Sequence, residues 1–250
     1  MNKILSVIIP VYNEAGTIRQ ILEKVTSVEL LNGIKMEVLV IDDASDDLTG
    51  ENVKKFSSDY PQVNLIYHRV QINKGKGAAI RHGLELASGH YMIIQDGDLE
   101  YDPREYNLLL RPMEDGVADV VYSSRFVGSN PHRILFFWHS IGNKILTFIS
   151  NAFTNLNLTD MESCYKLFRS EVIRSIKLKE NRFGFEPEVT AKIARIPGIR
   201  IYEVGISYYG RTFDEGKKIN WQDGFRAIYC VLKYNLPVIF SVKGQNRGKD

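Results

Sequence analysis

Short apolar runs that each end in a group of polar side chains are the feature of this sequence that most constrains its fold. Residues 5–11, 37–41 and 91–95 are such runs, rich in Val and Ile, and they are typical of strands buried in a parallel sheet. In open sheets of this kind, ligands bind beyond the carboxyl ends of the strands. We therefore expect one crevice at that edge, formed by the polar residues that follow the runs, which are 12–14, 42–46 and 96–100.

The segments between these runs carry apolar residues at helical spacing. Ile18, Ile21, Leu22 and Val25 recur within residues 15–28, which is typical of an amphipathic helix. Two more helices are predicted over residues 49–57 and 76–87, and one more strand is predicted over residues 63–68. This alternation of strand and helix predicts an α/β fold with a Rossmann-like, mostly parallel central sheet flanked by helices.

The alternation changes beyond residue 104. The elements predicted there are a strand over 118–122, an apolar helix over 134–149, helices over 172–178 and 187–195, and a strand over 200–208. A last amphipathic helix from about residue 221 to 235 is predicted to end at Pro237, because proline lacks a backbone N–H, and residues 243–250 are predicted to fray. We expect one domain over residues 1–220, followed by a helix and tail over 221–250 that contain no transmembrane helix.

Composition excludes several classes of protein. The net charge of +2 is too small for a protein that binds nucleic acid in bulk, and we expect no nucleic-acid partner. No stretch approaches the ~18 consecutive apolar residues of a spanning helix, and the apolar start is too short for a signal peptide. Cys164 and Cys230 lack the spacing of a zinc site or a disulfide framework. A reducing, cytoplasmic location is therefore expected.

Asp96, Asp98 and Glu100 alternate directly after a predicted strand. Residues two apart in an extended chain share a face, so these carboxylates are expected to point into one cleft. A bound cation removes their mutual repulsion, and oxygen ligands favour Mg²⁺ or Mn²⁺ over Zn²⁺. Because Mg²⁺ commonly binds one or two carboxylates together with substrate phosphates, the sequence predicts a metal site for a diphosphate-containing substrate.

Residues 73–77, Asn-Lys-Gly-Lys-Gly, predict a glycine turn that opens a helix. The third glycine of the dinucleotide-binding fingerprint is replaced by Ile80, and the spacing of a P-loop is absent. Lys74 and Lys76 are candidates to bind an anion at the helix N-terminus, and the alternative is that they are solvated lysines on a turn.

Taken together, these motifs resemble those of the family 2 glycosyltransferases, which have the GT-A (nucleotide-diphospho-sugar transferase) fold. The matching segments are Pro-Val-Tyr-Asn-Glu at 10–14, residues 42–49, residues 73–77, and Asp96-Gly97-Asp98 in the position of the family's DxD motif. Residues 96–100 followed by Pro103, and residues 123–126, resemble the branch of dolichol-phosphate mannose synthase and polyprenyl-phosphate glucosyltransferases. The resemblance is strong over residues 4–126 and looser beyond them.

The resemblance implies roles for individual residues. The implied nucleotide-sugar site comprises Pro10, Tyr12, Glu14, Asp43, Lys76, Asp96 and Gly97. The implied metal ligands are Asp98, Glu100 and Asp96, with Glu100 standing where the branch often has Gln. The implied catalytic residues are Asp98, Arg125, Asp160 and, in a basic segment that grips phosphate, Arg211, Lys217 and Lys218.

The implied reaction is an inverting, metal-dependent transfer of a hexose from a donor of the GDP-mannose or UDP-glucose type to a polyprenyl or dolichyl phosphate. A lipid phosphate is already an anion and needs no general base, whereas a sugar hydroxyl needs one. The acidic candidates for that base are Asp160, Glu186 and Glu188. Two alternatives stay open: transfer to a sugar hydroxyl in polysaccharide or glycolipid biosynthesis, and a non-catalytic module that binds nucleotide-sugars.

Two predicted helices carry apolar faces that suit a membrane surface. The helix over 134–149 contains Phe136, Phe137 and Trp138, and the helix over 221–236 has apolar residues on one face and Arg and Lys elsewhere. We expect peripheral binding at the inner face of the membrane. The alternatives are ordinary packing in the core and formation of a homodimer.

Overall fold

The computed structural model of the protein describes residues 3–128, 133–134, 137–210 and 221–245. Seven strands of the described chain form one sheet: β1 (Ile4–Val11), β2 (Lys35–Asp42), β3 (Leu65–Arg69), β4 (Tyr91–Ile94), β5 (Val120–Ser124), β6 (Lys166–Arg169) and β7 (Ile201–Gly205). The α-helices are α1 (Ile18–Thr26), α2 (Thr49–Asp59), α3 (Lys76–Leu86), α4 (Tyr106–Glu114), α5 (Phe137–Thr154), α6 (Ser170–Ser175), α7 (Phe185–Ile193) and α8 (Trp221–Gln245).

The sheet has the strand order β3-β2-β1-β4-β6-β5-β7. Strands β3, β2, β1 and β4 are parallel, and β5 and β7 are also parallel to each other. Strand β6 lies between β4 and β5 and is antiparallel to both. The predicted α/β class with a mostly parallel sheet is confirmed.

Helix α1 buries the face that its sequence predicted. Ile18, Ile21, Leu22 and Val25 are all fully inaccessible and belong to the same core cluster as the central residues of β1. Each such buried side chain contributes about 1.5–3 kcal/mol of hydrophobic stabilisation. The expected βαβ units are therefore anchored by their apolar periodicity.

Two elements were not predicted from the sequence. Helix α4 contains Pro112, and strand β6 has only four residues and begins at Lys166. The proline interrupts the hydrophobic periodicity that predicts a helix, and the buried lysine interrupts the apolar run that predicts a buried strand. Neither residue is typical of such an element.

The expected ends of two helices are wrong. Helix α8 does not stop at Pro237 but extends to Gln245, because one proline removes one helical hydrogen bond and the flanking turns keep theirs. Helix α7 begins at Phe185 rather than at Pro187, which puts Glu186 and Glu188 in its first turn. Residues 246–250 of the predicted tail lie outside the described residues.

Candidate active site

Hydrogen bonds join the loops that follow β1 and β2. Asn13 N donates to Ser45 Oγ at 3.0 Å, and Asp46 N donates to Asn13 Oδ1 at 3.0 Å. Asn13 and Ala44 have positive φ angles of 53° and 63°, which other residues than glycine rarely adopt. These two polar strand ends therefore meet at one edge of the sheet, as the sequence predicts.

Asp43 organises the start of helix α3. Its side chain is buried, and its two carboxylate oxygens accept hydrogen bonds from Lys74 N at 2.9 Å and Gly75 N at 2.6 Å. The residue predicted to bind nucleotide thus also fixes the glycine turn that carries Lys76.

The glycines of this turn allow close approach to another segment of the backbone. Gly75 has a φ of +98°, and a Cβ on Gly77 would lie 2.6 Å from the carbonyl oxygen of Glu180. Residues 180–182 therefore pack directly on the N-terminus of α3. In this arrangement, the motif at residues 73–77 is a packing turn as well as a candidate anion site.

Lys76 forms an ion pair with Asp96 in the interior of the site. Lys76 Nζ lies 2.7 Å from Asp96 Oδ1 and 3.6 Å from Glu186 Oε1. Burial disfavours the charged form of Asp96, but the positive charge of Lys76 outweighs it and lowers the pKa of that carboxyl. The pair links the end of β4 to the starts of α3 and α7.

The remaining residues predicted for the nucleotide lie around the end of β1. Tyr12 is 41% exposed, and Pro10 is partly buried at the end of the strand. Glu14 Oε2 accepts a hydrogen bond from Thr17 Oγ1 at 2.8 Å. A Cβ on Gly97 would lie 2.9 Å from Val11 Cγ1, so the glycine lets the segment after β4 pack on the end of β1.

Asp98 and Glu100 continue from Asp96 through a series of bends. Asp98 Oδ1 accepts a hydrogen bond from Glu100 N at 3.2 Å, and Glu100 Oε2 accepts one from the Tyr208 hydroxyl at 2.8 Å. Among the described residues, no three His, Cys, Asp or Glu side chains form a ready metal-binding group. Two carboxylates are enough for a divalent cation whose other ligands are phosphate oxygens and water, and the side chains of Asp98 and Glu100 offer the oxygen donors that Mg²⁺ and Mn²⁺ prefer.

Arg125 is held in place by Asp160. Arg125 Nε and Nη2 donate to the two carboxylate oxygens of Asp160 at 2.6 and 2.7 Å, and Arg125 N and Asn143 Nδ2 each donate a further hydrogen bond at 3.1 Å. Asp160 is fully inaccessible to solvent. Burial disfavours the charged form of its carboxyl group, but the positive charge of Arg125 has the larger effect and lowers the pKa of Asp160. The guanidinium also lies 5.2 Å from the centre of the Tyr208 ring. Tyr208 therefore connects Arg125 to Glu100.

Sequence reasoning missed two charged residues next to this pair. Glu162 Oε1 is buried without a hydrogen-bond partner, and Lys166 is fully inaccessible although it begins strand β6. A lysine inside an apolar run, four residues after a glutamate, was the available signal. We call Glu162, Lys166 and Glu186 the buried cluster.

The two glutamates of α7 have different surroundings. Glu188 accepts hydrogen bonds from the backbone N–H groups of Lys179 and Glu180 and is paired with Lys192. Glu186 Oε2 has no partner among the described residues. Glu188 is thus a structural residue, whereas Glu186 remains available to a ligand.

The predicted basic segment, with Arg211, Lys217 and Lys218, lies outside the described residues. The described chain does contain a cavity of about 550 Å³ beyond the end of β3. Its lining includes Asp43, Arg69, Lys74 and Arg81. Glu85 also lines it, so three cationic and two acidic side chains surround a space beside Asp43, one of the residues predicted to bind nucleotide.

Helices α5 and α8 pack against each other and expose aromatic side chains. These include Phe137, Trp138 and Phe148 on α5 and Phe225 and Tyr229 on α8. Phe136 lies outside the described residues. Over the part of the chain that the structure describes, no helix combines the length and apolar character needed to cross a bilayer.

Comparison with known sequences finds a match to the family described as "Glycosyl transferase family 2" over residues 6–177. The dodecaprenyl-phosphate galacturonate synthase of Rhizobium johnstonii is 25% identical, over 97% of this chain and 68% of that protein. The dolichol-phosphate mannosyltransferase of Pyrococcus furiosus is 27% identical, over 92% of this chain and 64% of that protein. The undecaprenyl-phosphate mannosyltransferase of Micrococcus luteus is 29% identical, over 84% and 85% respectively.

Among solved structures, the fold is similar to that of glucosyl-3-phosphoglycerate synthase from Mycobacterium tuberculosis, determined in complex with Mn²⁺, UDP and glucosyl-3-phosphoglycerate. The TM-score is 0.70 at 18% sequence identity, over 93% of this chain and 80% of that chain. This likeness confirms the fold that the sequence predicts.

Proposed function

Because this chain belongs to glycosyl transferase family 2 and has the GT-A fold, we propose that it transfers a hexose from a nucleotide-sugar to a polyprenyl phosphate, with inversion at the anomeric carbon. One observation carries the choice of acceptor. Asp160, a candidate general base, is committed to Arg125 and Asn143, so it orients a cation instead of taking up a proton. A fixed guanidinium suits an acceptor that is itself an anion.

The proposed site residues form two groups, one that binds the nucleotide-sugar donor and one that binds the acceptor. Tyr12, Glu14 and Asp43 lie where a nucleoside would bind, beyond the ends of β1 and β2. Asp98 and Glu100 would hold Mg²⁺ or Mn²⁺ against the donor diphosphate. When bound, such an ion supplies positive charge that stabilises the leaving nucleotide.

Arg125 is proposed to serve the acceptor. The acceptor phosphate is negatively charged when it attacks the sugar, and a fixed cation stabilises it without reorganisation. The forked hydrogen bonds from Asp160 hold the guanidinium in one orientation. Arg211, Lys217 and Lys218 are proposed to add cations to the phosphates.

The lipid acceptor requires that the protein reach a membrane surface. The aromatic side chains exposed on α5 and α8 support peripheral binding, since amphipathic surfaces of this kind lie at the headgroup region. We assign the protein to the inner, cytoplasmic face of the membrane, and a homodimer through the same helices is the competing arrangement. Residues 1–220 form the catalytic domain in this proposal, and 221–250 its C-terminal attachment.

The reaction is tested by incubating the purified protein with extracted polyprenyl phosphates and a panel of radiolabelled nucleotide-sugars, including GDP-mannose and UDP-glucose. We expect a single hexose to be transferred to the lipid, with activity lost in excess EDTA. Parallel reactions contain soluble sugar acceptors. Transfer only to those soluble sugars would replace the lipid-phosphate proposal with the hydroxyl-acceptor alternative.

A further inference from the structure

Buried charge is concentrated in the second half of the sheet, where the buried cluster lies. Lys166 is fully inaccessible and Glu186 is 5% exposed. Burial lowers the pKa of Lys166 even though the negative charges of Glu186 and Glu162 oppose that shift. Such groups are rarely placed in a core without a partner, and Lys166 Nζ accordingly donates a hydrogen bond to the carbonyl oxygen of Ser163.

Two oxygens of this cluster have no hydrogen-bond partner within the described part of the chain. Among the described residues, the buried side-chain atoms without a partner are His82 Nε2, Glu162 Oε1 and Glu186 Oε2. The neighbouring carboxylates of Asp160 and Glu188 are by contrast well supplied with donors. A buried oxygen without a donor costs folding free energy, and a ligand that brings the donor removes that cost.

The unpartnered oxygens lie between the donor and acceptor parts of the proposed site. Glu186 Oε1 is 3.6 Å from Lys76 Nζ, which contacts Asp96 immediately before the proposed metal ligands. Glu162 follows Asp160 by two residues, and the charges of Arg125, Asp160 and Glu186 all act on its carboxyl group. In a nucleotide-sugar, the hexose is joined directly to the diphosphate. A hexose whose diphosphate bound at residues 96–100 would therefore have this cluster within reach, by way of Lys76.

The chemistry of the cluster fits hydroxyl groups better than phosphate. Carboxylate oxygens accept hydrogen bonds and repel phosphate oxygens, whereas a hexose offers several O–H donors. Burial, together with the negative charge of Glu186, raises the pKa of Glu162 to about 8. A protonated Glu162 also donates a hydrogen bond, so the two glutamates offer both donor and acceptor groups to a polyhydroxylated ring.

We propose that Glu162 and Glu186 bind the hydroxyl groups of the donor's hexose and thereby determine which sugar is transferred. This inference rests on the proposed function and extends it to the sugar end of the donor. Lys76, whose Nζ lies 3.6 Å from Glu186 Oε1, balances the charge of that glutamate within the site. The two glutamates act as specificity-determining residues.

The test compares binding of a nucleotide-sugar with binding of its bare nucleotide. Affinities for GDP-mannose, UDP-glucose, GDP and UDP are measured by calorimetry on the wild type, Glu162→Gln and Glu186→Gln, in the presence of Mn²⁺. We expect each variant to bind the preferred nucleotide-sugar 10- to 100-fold more weakly while binding the matching nucleotide as the wild type does. Glu188→Gln is the matched control, because both oxygens of that buried glutamate are already used within the protein.

A second measurement probes individual hydroxyls. Deoxy analogues of the preferred donor are compared on the wild type and on each variant. If a glutamate binds a given hydroxyl, removal of that hydroxyl weakens binding to the wild type at least 10-fold and has little further effect on the variant. Because Glu162 precedes β6 and Glu186 lies in α7, at least one isosteric variant is expected to keep the wild-type circular dichroism spectrum.

Two results would overturn the inference. One is an unchanged ratio of nucleotide-sugar to nucleotide affinity in both folded variants. The other is a loss of turnover greater than 10³-fold with unchanged donor binding, which identifies a general base instead. Failure of the proposed function has a different signature. A protein that binds nucleotide-sugars but transfers no hexose to polyprenyl phosphate still allows the ratio of nucleotide-sugar affinity to nucleotide affinity to be measured.

Discussion

The two halves of the sheet place their polar residues in different ways. Around β1, β2 and β4, polar side chains follow the strand ends and connect neighbouring loops, as Asn13 does with Ser45. Around β5, β6 and β7, charged side chains inside the elements act on one another, as Lys166 and Glu186 do. Glu37, inside β2, is by contrast hydrogen-bonded to Ser6, Ser88 and Gly89. The polar residues of the first half can therefore be predicted from the strand pattern in the sequence. Those of the second half are brought together only by packing.

This difference suggests that the two halves serve different parts of the proposed reaction: binding of the nucleotide and cation, and selection of the sugar and acceptor. The parallel half offers loop backbone and acidic strand ends, which suit a nucleotide and a divalent cation. The half that contains antiparallel β6 offers buried carboxylates, a buried lysine and the Arg125–Asp160 pair, which suit selection of sugar and acceptor. Substitutions in each half should therefore affect different steps.

Replacement of Asp98 tests the parallel half. We expect Asp98→Ala to lower turnover by on the order of 10³-fold or more, because it removes a ligand for the cation that stabilises the leaving diphosphate. The fold should be intact by circular dichroism. Asp102→Ala is the control, since Asp102 pairs with the exposed Arg104 in the same segment. Full activity of Asp98→Ala, or wild-type activity in excess EDTA, contradicts the metal assignment.

Replacement of Arg125 tests the second half. Arg125→Ala leaves the inaccessible Asp160 without its cation, so we expect a loss of about 3–5 kcal/mol in the free energy of unfolding, in addition to a loss of activity. The double variant Arg125→Ala/Asp160→Asn should regain much of that stability without regaining activity. Urea denaturation and transfer kinetics measure the two effects. Recovery of activity in the double variant would mean that Arg125 has only a structural role.

The basic segment is predicted to join the two halves at the phosphates. Arg211→Ala should lower turnover with a short-chain polyprenyl phosphate by on the order of 10²-fold, the loss typical of removing one stabilising donor from a transition state. Neutralising Lys217 and Lys218 together should have a similar effect. Arg19→Ala on α1 is the control, because Arg19 pairs with Glu23 and Asp59 on the surface. Unchanged kinetics in Arg211→Ala would assign the segment no role in the reaction.

Glu180 connects α8 to the loop that packs on α3. Its carboxylate accepts hydrogen bonds from Arg226, Lys233 and Tyr234, and although burial opposes ionisation, these partners lower the pKa of Glu180 to about 2. A lowered pKa means that the stabilisation is present above about pH 4.5 and is lost as the pH falls toward 2.

We expect Glu180→Gln to reduce the free energy of unfolding at pH 7 by about 1–3 kcal/mol and to flatten the acid limb of the stability curve. Chemical denaturation between pH 7 and pH 3 measures both effects. An unchanged acid limb would show that other carboxylates control acid stability.

The smallest effect on the fold is expected on the exposed aromatic surface. Replacing Phe136, Phe137 and Trp138 with serine should release the protein from liposomes that contain anionic lipid and lower transfer to a membrane-embedded acceptor. Because Phe137 and Trp138 are 66% and 79% exposed, the unfolding temperature should change little. Leu108→Ser, on the exposed face of α4, is the control. If the triple variant unfolds, or if the wild type never binds liposomes, membrane docking is wrong.

Much of the fold follows from local patterns. Apolar runs and helical spacing predict β1, β2, β4 and α1, because each signal lies within one window of the chain and the core accepts it unchanged. Strand β6 has no such apolar signal, since it is four residues long and begins with a lysine on which the charge of Glu186, from helix α7, acts together with that of the nearby Glu162. The predicted end of α8 at Pro237 is also wrong, because a proline does not by itself terminate a long helix.

Local sequence patterns are enough to predict acidic side chains at the strand ends, including those from Asp96 to Glu100, and to give the order of the motifs. Which carboxylates are hydrogen-bonded within the protein, and which remain available to a ligand, follows only from the way the elements pack. Asp160 meets Arg125 across 35 positions of sequence, while Glu186 and Glu188, two residues apart on one helix, have opposite surroundings. The physical reason is that a hydrogen-bond partner is fixed by the packing of elements far apart in the chain, which no local pattern records.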